Sequence, residues 1–199
     1  RGGAFAERLA IPERNLVPIP DDLTCAHAAL AEPVAVSYHA VNQGARLLAR
    51  PLSACRCVVL GGGAIGLAAA LVLRMQGAGA ILVGEPAAAR RETAGRSGLA
   101  CYAPGSEDEP AANSVIAAVG AAATRAASCR MAKPGAAIVH VGLLPGQEGL
   151  DIRKITLQEI VVSGTYCYTP TDFREVVAAL AARRLGPLDW LEERPLAEG

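Results

Sequence analysis

The chain has 199 residues, 52% hydrophobic and 4% aromatic, with a formal net charge of +0. That length holds one sizeable core or one domain with an appendage, and a core drawn mainly from Ala, Val, Leu and Ile suits helices packed on a parallel sheet. The balanced charge excludes the basic footprint of a nucleic-acid or anionic-membrane binder, and every long apolar run is broken by Arg or Gly before the ~18 residues a transmembrane helix needs. Six cysteines stand at irregular spacings, and Cys55-Arg56-Cys57 is a C-x-C with no second pair. Reduced thiols of a cytoplasmic protein fit that pattern better than a metal or disulfide framework. No signal peptide is visible. The chain opens on Arg1 in mid-pattern, which reads as a fragment or a processed chain.

Residues 1–23, with Pro12, Pro18 and Pro20, read as extended segments and turns. Thr24 can cap a helix running through Ala31. Pro33 stops that helix and opens a second one through Val41 and Asn42, which leaves Glu32 beside a helix N-terminus. His39, seven residues on, falls on roughly the same face. It could relay protons or hold a metal, or be a hydrogen-bonded structural histidine.

From 56 onward the pattern alternates regularly. A strand at 57–60 leads to a helix over 64–76, and a strand at 80–84 to a helix over 87–96. A strand at 99–102 follows. Residues 103–113 are short, acidic and proline-bearing, where a parallel crossover normally needs a dozen residues and a helix. This predicts a thinly covered, mobile patch of one sheet face. A strand at 114–119, a helix over 121–132 closed by Lys133-Pro134-Gly135, and a strand at 136–141 come next. A short helical piece at 152–159, a strand at 160–165 and a helix over 171–184 complete the alternation. The expected fold is α/β, a doubly wound parallel sheet.

The most informative segment is Gly61-Gly62-Gly63-Ala64-Ile65-Gly66, set between the strand ending at Leu60 and a helix, with Glu85 at the end of the next strand. This is the outline of a dinucleotide site. Gly61 makes the tight turn, Gly63 lets a pyrophosphate approach the backbone, and Gly66 lets the helix lie close to the sheet. The helix N-terminus faces the phosphates. Glu85 would accept from the ribose diol and repel a 2′-phosphate, which favours NAD over NADP. Arg90 and Arg91, close behind, pull the other way. An S-adenosylmethionine site uses the same turn and acid, and glycine spacing alone does not separate the two.

Beyond that motif the chain resembles the zinc-containing medium-chain alcohol dehydrogenases, in particular the sorbitol, threonine and galactitol-phosphate branch. The matching stretches are colinear along nearly the whole chain. They include Ile11-Pro12-Glu13-Arg14-Asn15-Leu16-Val17-Pro18, Glu32-Pro33-Val34-Ala35-Val36-Ser37-Tyr38-His39, Val58 to Gly66, Val139-His140-Val141-Gly142-Leu143 and Ile155 to Tyr168, with Gly2 to Glu7 at the start. The shared order argues against a methyltransferase.

The resemblance implies a Rossmann domain over 41–185. It also implies a remnant of the GroES-like catalytic domain over 1–40 and a truncated return to that domain over 186–199. It makes Glu32 an acidic zinc ligand and, with His39, a candidate catalytic residue. It places Ile65 under the pyrophosphate and nicotinamide end, and Glu85 and Arg90 on the adenosine ribose. Val141, Gly142 and Leu143 would line the nicotinamide, and Thr165, Tyr166 and Cys167 would contact its carboxamide. Some relatives carry Arg where this chain has Cys167.

The implied function is hydride transfer between a secondary alcohol (a polyol or hydroxy amino acid) and NAD, in a cytoplasmic homodimer or tetramer, with zinc as Lewis acid in the intact parent. The preceding GroES-like domain of relatives, which supplies further zinc ligands, has no counterpart here. One ligand alone cannot build a catalytic zinc site, so this chain is expected to bind cofactor and turn over poorly. The alternatives are a non-catalytic NAD(H)-binding or dimerising module, and a zinc-free quinone-reductase-type relative.

Overall fold

The computed structural model describes residues 6–105, 109–195 and 197. The predicted similarity at Gly2 to Phe5, and Glu107 and Asp108 of the acidic crossover, lie outside the described residues. Six parallel strands form one sheet: β1 (Arg56–Leu60), β2 (Ala80–Gly84), β3 (Ala100–Tyr102), β4 (Ala112–Ala117), β5 (Ala132–His140) and β6 (Val161–Gly164). Their order across the sheet is β3-β2-β1-β4-β5-β6. Val58 pairs with Leu82 on one side and Val115 on the other, so β1 and β4 lie together at the centre. This is the doubly wound Rossmann order expected from the alternation, with the change of direction between β1 and β4.

The helices are α1 (Cys25–Ala28), α2 (Ala31–Leu47), α3 (Ala64–Met75), α4 (Ala88–Arg96), α5 (Ala122–Met131), α6 (Ile152–Leu157) and α7 (Pro170–Ala181). Thr24 caps α1 by accepting from the His27 amide. Pro33 sits in the first turn of α2, where its missing N–H costs nothing. The helix then runs past the expected Asn42 to Leu47, because Ala31, Val34, Ala35, Val41 and Gly44 keep one face buried. A Cβ on Gly44 would lie 2.9 Å from Val139 Cγ2, so that glycine seats α2 against β5. Thr169 and Asp172 form a reciprocal capping box at the start of α7, with Pro170 in its first turn.

One face of the sheet carries α2, α3 and α7 over a core that includes Val59, Leu71, Val72, Val83, Val139 and Val176. α3 is buried from Gly66 to Leu73, which its Ala- and Leu-rich sequence permits on every side. The opposite face carries α5 and α6 over Val58, Leu60, Val115 and Ile138. No helix stands between β3 and β4 among the described residues. The sheet face beside that crossover opens into a cleft of about 450 Å³, bounded by Pro104, Gly105 and Glu109 on one side and Ala127, Arg130 and Met131 of α5 on the other. Arg130 and Glu109 close its far end with a bidentate ion pair, at 2.8 and 2.9 Å.

The largest departure from the expected strand boundaries is at the start of β5. Lys133-Pro134-Gly135 does not separate α5 from β5. It lies within β5, where the pairing jumps from Ala112↔Ala132 to Ser114↔Ala137. Pro134 has no ladder donor and Gly135 adopts φ +68°, so the extra residues bulge outward, exposed, without ending the strand.

Candidate cofactor cleft

The glycine turn forms as its residue types require. The Gly61 amide donates to Gly84 O at 2.8 Å, which locks the turn to the end of β2. Gly61 itself adopts φ +103°. A Cβ on Gly66 would lie 1.8 Å from Gly61 O, so the close approach of α3 to the turn excludes any side chain there. Gly63 differs from both. Its φ is −74°, and among the described residues nothing lies within 4 Å of where its Cβ would be. The fold makes no demand for glycine at 63, and the open space stands at the N-terminus of α3, where the first-turn amides have no intrahelical acceptor.

Glu85 is 3% exposed, and its carboxylate is fully oriented by backbone. Oε2 accepts from the Gly62 amide at 2.7 Å and Oε1 from the Ala87 amide at 2.8 Å. The acid at the end of β2 is thereby fixed against the glycine turn. The two arginines behind it behave differently. Arg91 is occupied, donating to Glu85 O and Pro86 O at 2.8 and 2.6 Å. Arg90 is exposed, with Nη1 3.9 Å from Glu85 Oε2, and lines the same cleft as Gly61 and Glu85.

A second cleft, of about 500 Å³, opens at the carboxyl ends of β4, β5 and β6. It gathers Glu32, Ile65, Val141, Gly142 and Leu143 with Thr165, Tyr166 and Cys167. These eight residues come from four separate parts of the chain; the resemblance implies seven of them at the nicotinamide side of a cofactor and Glu32 at a zinc ion. Val119 lines both clefts, so they meet over the β1–β4 junction, where ligands of open α/β sheets bind. Thr165 Oγ1 is buried in its surroundings and has no hydrogen-bond partner among the described residues.

His39 lies outside this cleft. Its Nδ1 is 2.9 Å from Asp172 Oδ2, which joins α2 to α7. Hydrogen bonds from Thr169 and His39 hold the Asp172 carboxyl below its ordinary range, against the opposing effect of its burial. Tyr38 donates to Glu175 at 2.7 Å on the same interface.

Several residues that shape the site carry no sequence signal. Ala118, Val36 and Leu144 line the second cleft as small or aliphatic walls. Ser37, fully buried, places its hydroxyl 2.8 Å from Ile65 O and so pins the first turn of α3 to α2.

His140, at the end of β5, has a buried Nε2 with no partner among the described residues. Burial, and then the nearby Arg125 charge, push its pKa below the ordinary 6.5. The unfolded chain therefore takes up a proton near pH 6.5 that the folded chain refuses until lower pH. Stability is complete above pH 6.5 and falls as pH drops from there toward the folded value. The Asp172 shift acts lower, below its ordinary 3.8. Urea midpoints at pH 7.5 and pH 5.5 should differ in the wild-type chain and differ less in His140→Gln. Equal losses in both would remove this role.

A family model for zinc-binding dehydrogenases matches residues 64–182, more than half of the chain. The chain belongs to the zinc-binding dehydrogenase family. It is 30% identical over 193 residues to L-galactonate-5-dehydrogenase of Escherichia coli K12, covering 92% of this chain and 55% of that protein. It is 28% identical over 196 residues to (R,R)-butanediol dehydrogenase of Saccharomyces cerevisiae, covering 89% and 49%. A zinc-binding dehydrogenase of Sinorhizobium meliloti 1021, solved bound to NADP, superposes with a TM-score of 0.82 at 28% identity, covering 92% of this chain and 56% of that one. The chain spans about half the length of the curated relatives it matches.

The family name implies zinc, and the donor set tests it. Among the described residues, no group of three or more His, Cys, Asp or Glu side chains could hold a metal ion. Glu32, on the cleft wall, offers one carboxylate, and Cys167 is the other ligating side chain lining that cleft. A zinc site takes four ligands, three of them protein side chains at a catalytic centre. The residues described here do not fit a zinc ion by themselves. No helix among them is long and apolar enough to cross a membrane.

Proposed function

We propose that this chain is the nicotinamide-cofactor-binding part of an alcohol or polyol dehydrogenase, with NAD preferred over NADP. Residues 41–185 are assigned to the nucleotide domain and 1–40 and 186–199 to the side of a catalytic domain, with α2 (Ala31–Leu47) running across the first boundary and packing on the sheet. The observation that carries the reading is the glycine turn set against Glu85: the Gly62 and Ala87 amides hold a buried carboxylate in place, and next along the chain from Gly62 is Gly63, a glycine the fold does not require.

The cofactor, when bound, supplies a hydride acceptor for a secondary alcohol. The residues of this chain bind and orient it. The first-turn amides of α3, between Gly61 and Gly66, take the pyrophosphate. Glu85 accepts from the ribose hydroxyls and repels a 2′-phosphate, while Arg90, unlike Arg91, is free to swing over the same position. Ile65, Val141, Gly142 and Leu143 wall the nicotinamide. The unpaired Thr165 hydroxyl is available to its carboxamide, with Tyr166 and Cys167 beside it. Glu32 stands at the substrate end and can lend one donor to a metal whose other ligands come from outside the described residues. His39, tied to Asp172, holds the Glu32-bearing helix against α7. Six unpaired thiols suit a reducing, cytoplasmic compartment. The free edge of β6 suits pairing with a second copy in a dimer or tetramer.

Cys25 and Cys167 are the exposed thiols, and only Cys167 lines the cleft. Saturating NADH should slow alkylation of Cys167 severalfold and leave Cys25 unchanged, as read by peptide mass spectrometry. Equal rates with and without NADH would count against the assigned cleft.

A further inference from the structure

Arg125 is a buried cation on α5, 6% exposed, with no carboxylate within 4 Å among the described residues. Backbone carbonyls answer its charge instead. Nη1 donates to Gly120 O, and Nε donates to Glu148 O. Gly120 belongs to the loop after β4 and Glu148 to the loop after β5, so one guanidinium spans both. Each loop contributes to the nicotinamide-side cleft, the first through Ala118 and Val119 and the second through Val141 to Leu144. The loops also touch backbone to backbone: a Cβ on Gly142 would lie 2.1 Å from Val119 C. The second loop rests on α5 as well, since a Cβ on Gly149 would lie 2.3 Å from Ala122 O. Leu143 and Leu144 are 78% and 53% exposed, so little packing of their own holds that stretch.

We infer that Arg125 is a positioning residue for the nicotinamide half of the cleft, bracing the loops after β4 and β5 against each other through Gly120 O and Glu148 O. The inference rests on the cofactor reading given above. Arg125 touches neither the glycine turn nor Glu85, and of the loops it braces only Val119 also borders the Glu85 cleft, so its effect falls chiefly on the nicotinamide end. Its third nitrogen, Nη2, is buried without a partner among the described residues and lies near Gly146 of the second loop. Lysine, a single amine, cannot reproduce the fork that reaches both carbonyls.

The test compares NADH with ADP-ribose, which lacks the nicotinamide ring. Arg125→Met should weaken NADH binding by about tenfold, the scale of a lost charge-assisted hydrogen bond, with ADP-ribose binding within about twofold of wild type. Arg125→Lys should fall between. Gly149→Ala moves the second loop, and Glu148 O with it, off α5 while leaving the Arg125 side chain in place, and should show the same NADH-selective loss. It carries the test if Arg125→Met does not fold. Equal losses of both ligands in Arg125→Lys and Gly149→Ala, or no loss of either, would overturn the inference. A wild-type chain that binds ADP-ribose but gains nothing from the nicotinamide would overturn it too. Failure of the folded wild type to bind either ligand would instead remove the cofactor reading, and this inference with it.

Discussion

Gly63→Val is expected to abolish NADH binding and leave the fold intact. The backbone at 63 is already in the extended region, at φ −74° and ψ −173°, and no atom of the described residues lies within 4 Å of the added Cβ. Valine there should cost at most about 1 kcal/mol, the scale of a weakened helix N-cap. A bound pyrophosphate would occupy the space the side chain fills, so affinity should drop by about a hundredfold or more, close to 3 kcal/mol. Gly66→Ala is the contrasting variant. Its Cβ would enter the Gly61 carbonyl, 1.8 Å away, and backbone must move to admit it. That variant should lose about 1–3 kcal/mol of stability from overpacking, and cofactor affinity with it. A thermal melt and an NADH titration on both variants separate the two glycines. Wild-type affinity in a folded Gly63→Val would show that position 63 faces no ligand.

The second large effect is expected at Glu85. Its two oxygens accept from the buried Gly62 amide and the Ala87 amide. Glu85→Ala leaves these donors without their acceptor, at a cost of about 2 kcal/mol. The same change removes the carboxylate that takes the ribose diol and repels a 2′-phosphate, while Arg90 stays in reach. NADH affinity should fall and NADPH affinity should fall less or rise, so the preference shrinks or inverts. The Sinorhizobium relative was solved bound to NADP. An unchanged ratio of NADH to NADPH affinity in Glu85→Ala would mean that the acid does not read the ribose.

Much of this was legible in the sequence where local signals coincide. The β1–α3–β2 unit combines an apolar run, glycines at a turn and an acid at a strand end, and each feature alone already favours the same geometry. β2 matched its expected bounds, and most of the other strands and helices formed within a few residues of theirs. The failures came from punctuation residues whose effect depends on neighbours. Pro134-Gly135 reads as a stop, yet pairing with β4 on one side carries the strand across it as a bulge. Gly44 weakens a helix in isolation, but close packing on Val139 lets α2 continue.

The site divides along the same line. The positions of Glu85, the glycines and the residues at strand ends were legible because each stands at an element boundary that its residue type marks locally. Ser37 and Arg125 were not, because their partners are backbone carbonyls that any residue could supply, and only the folded chain brings them near. A serine inside an apolar helix and an arginine in an alanine-rich one read as ordinary surface positions.

The most direct test of the whole account is titration of the wild-type chain with NADH, followed by nicotinamide fluorescence and repeated with NADPH. Saturable NADH binding, tighter than NADPH and displaced by ADP-ribose, is the predicted result. A chain that unfolds cooperatively, and so is folded, yet leaves NADH fluorescence unchanged and unsaturated would contradict it.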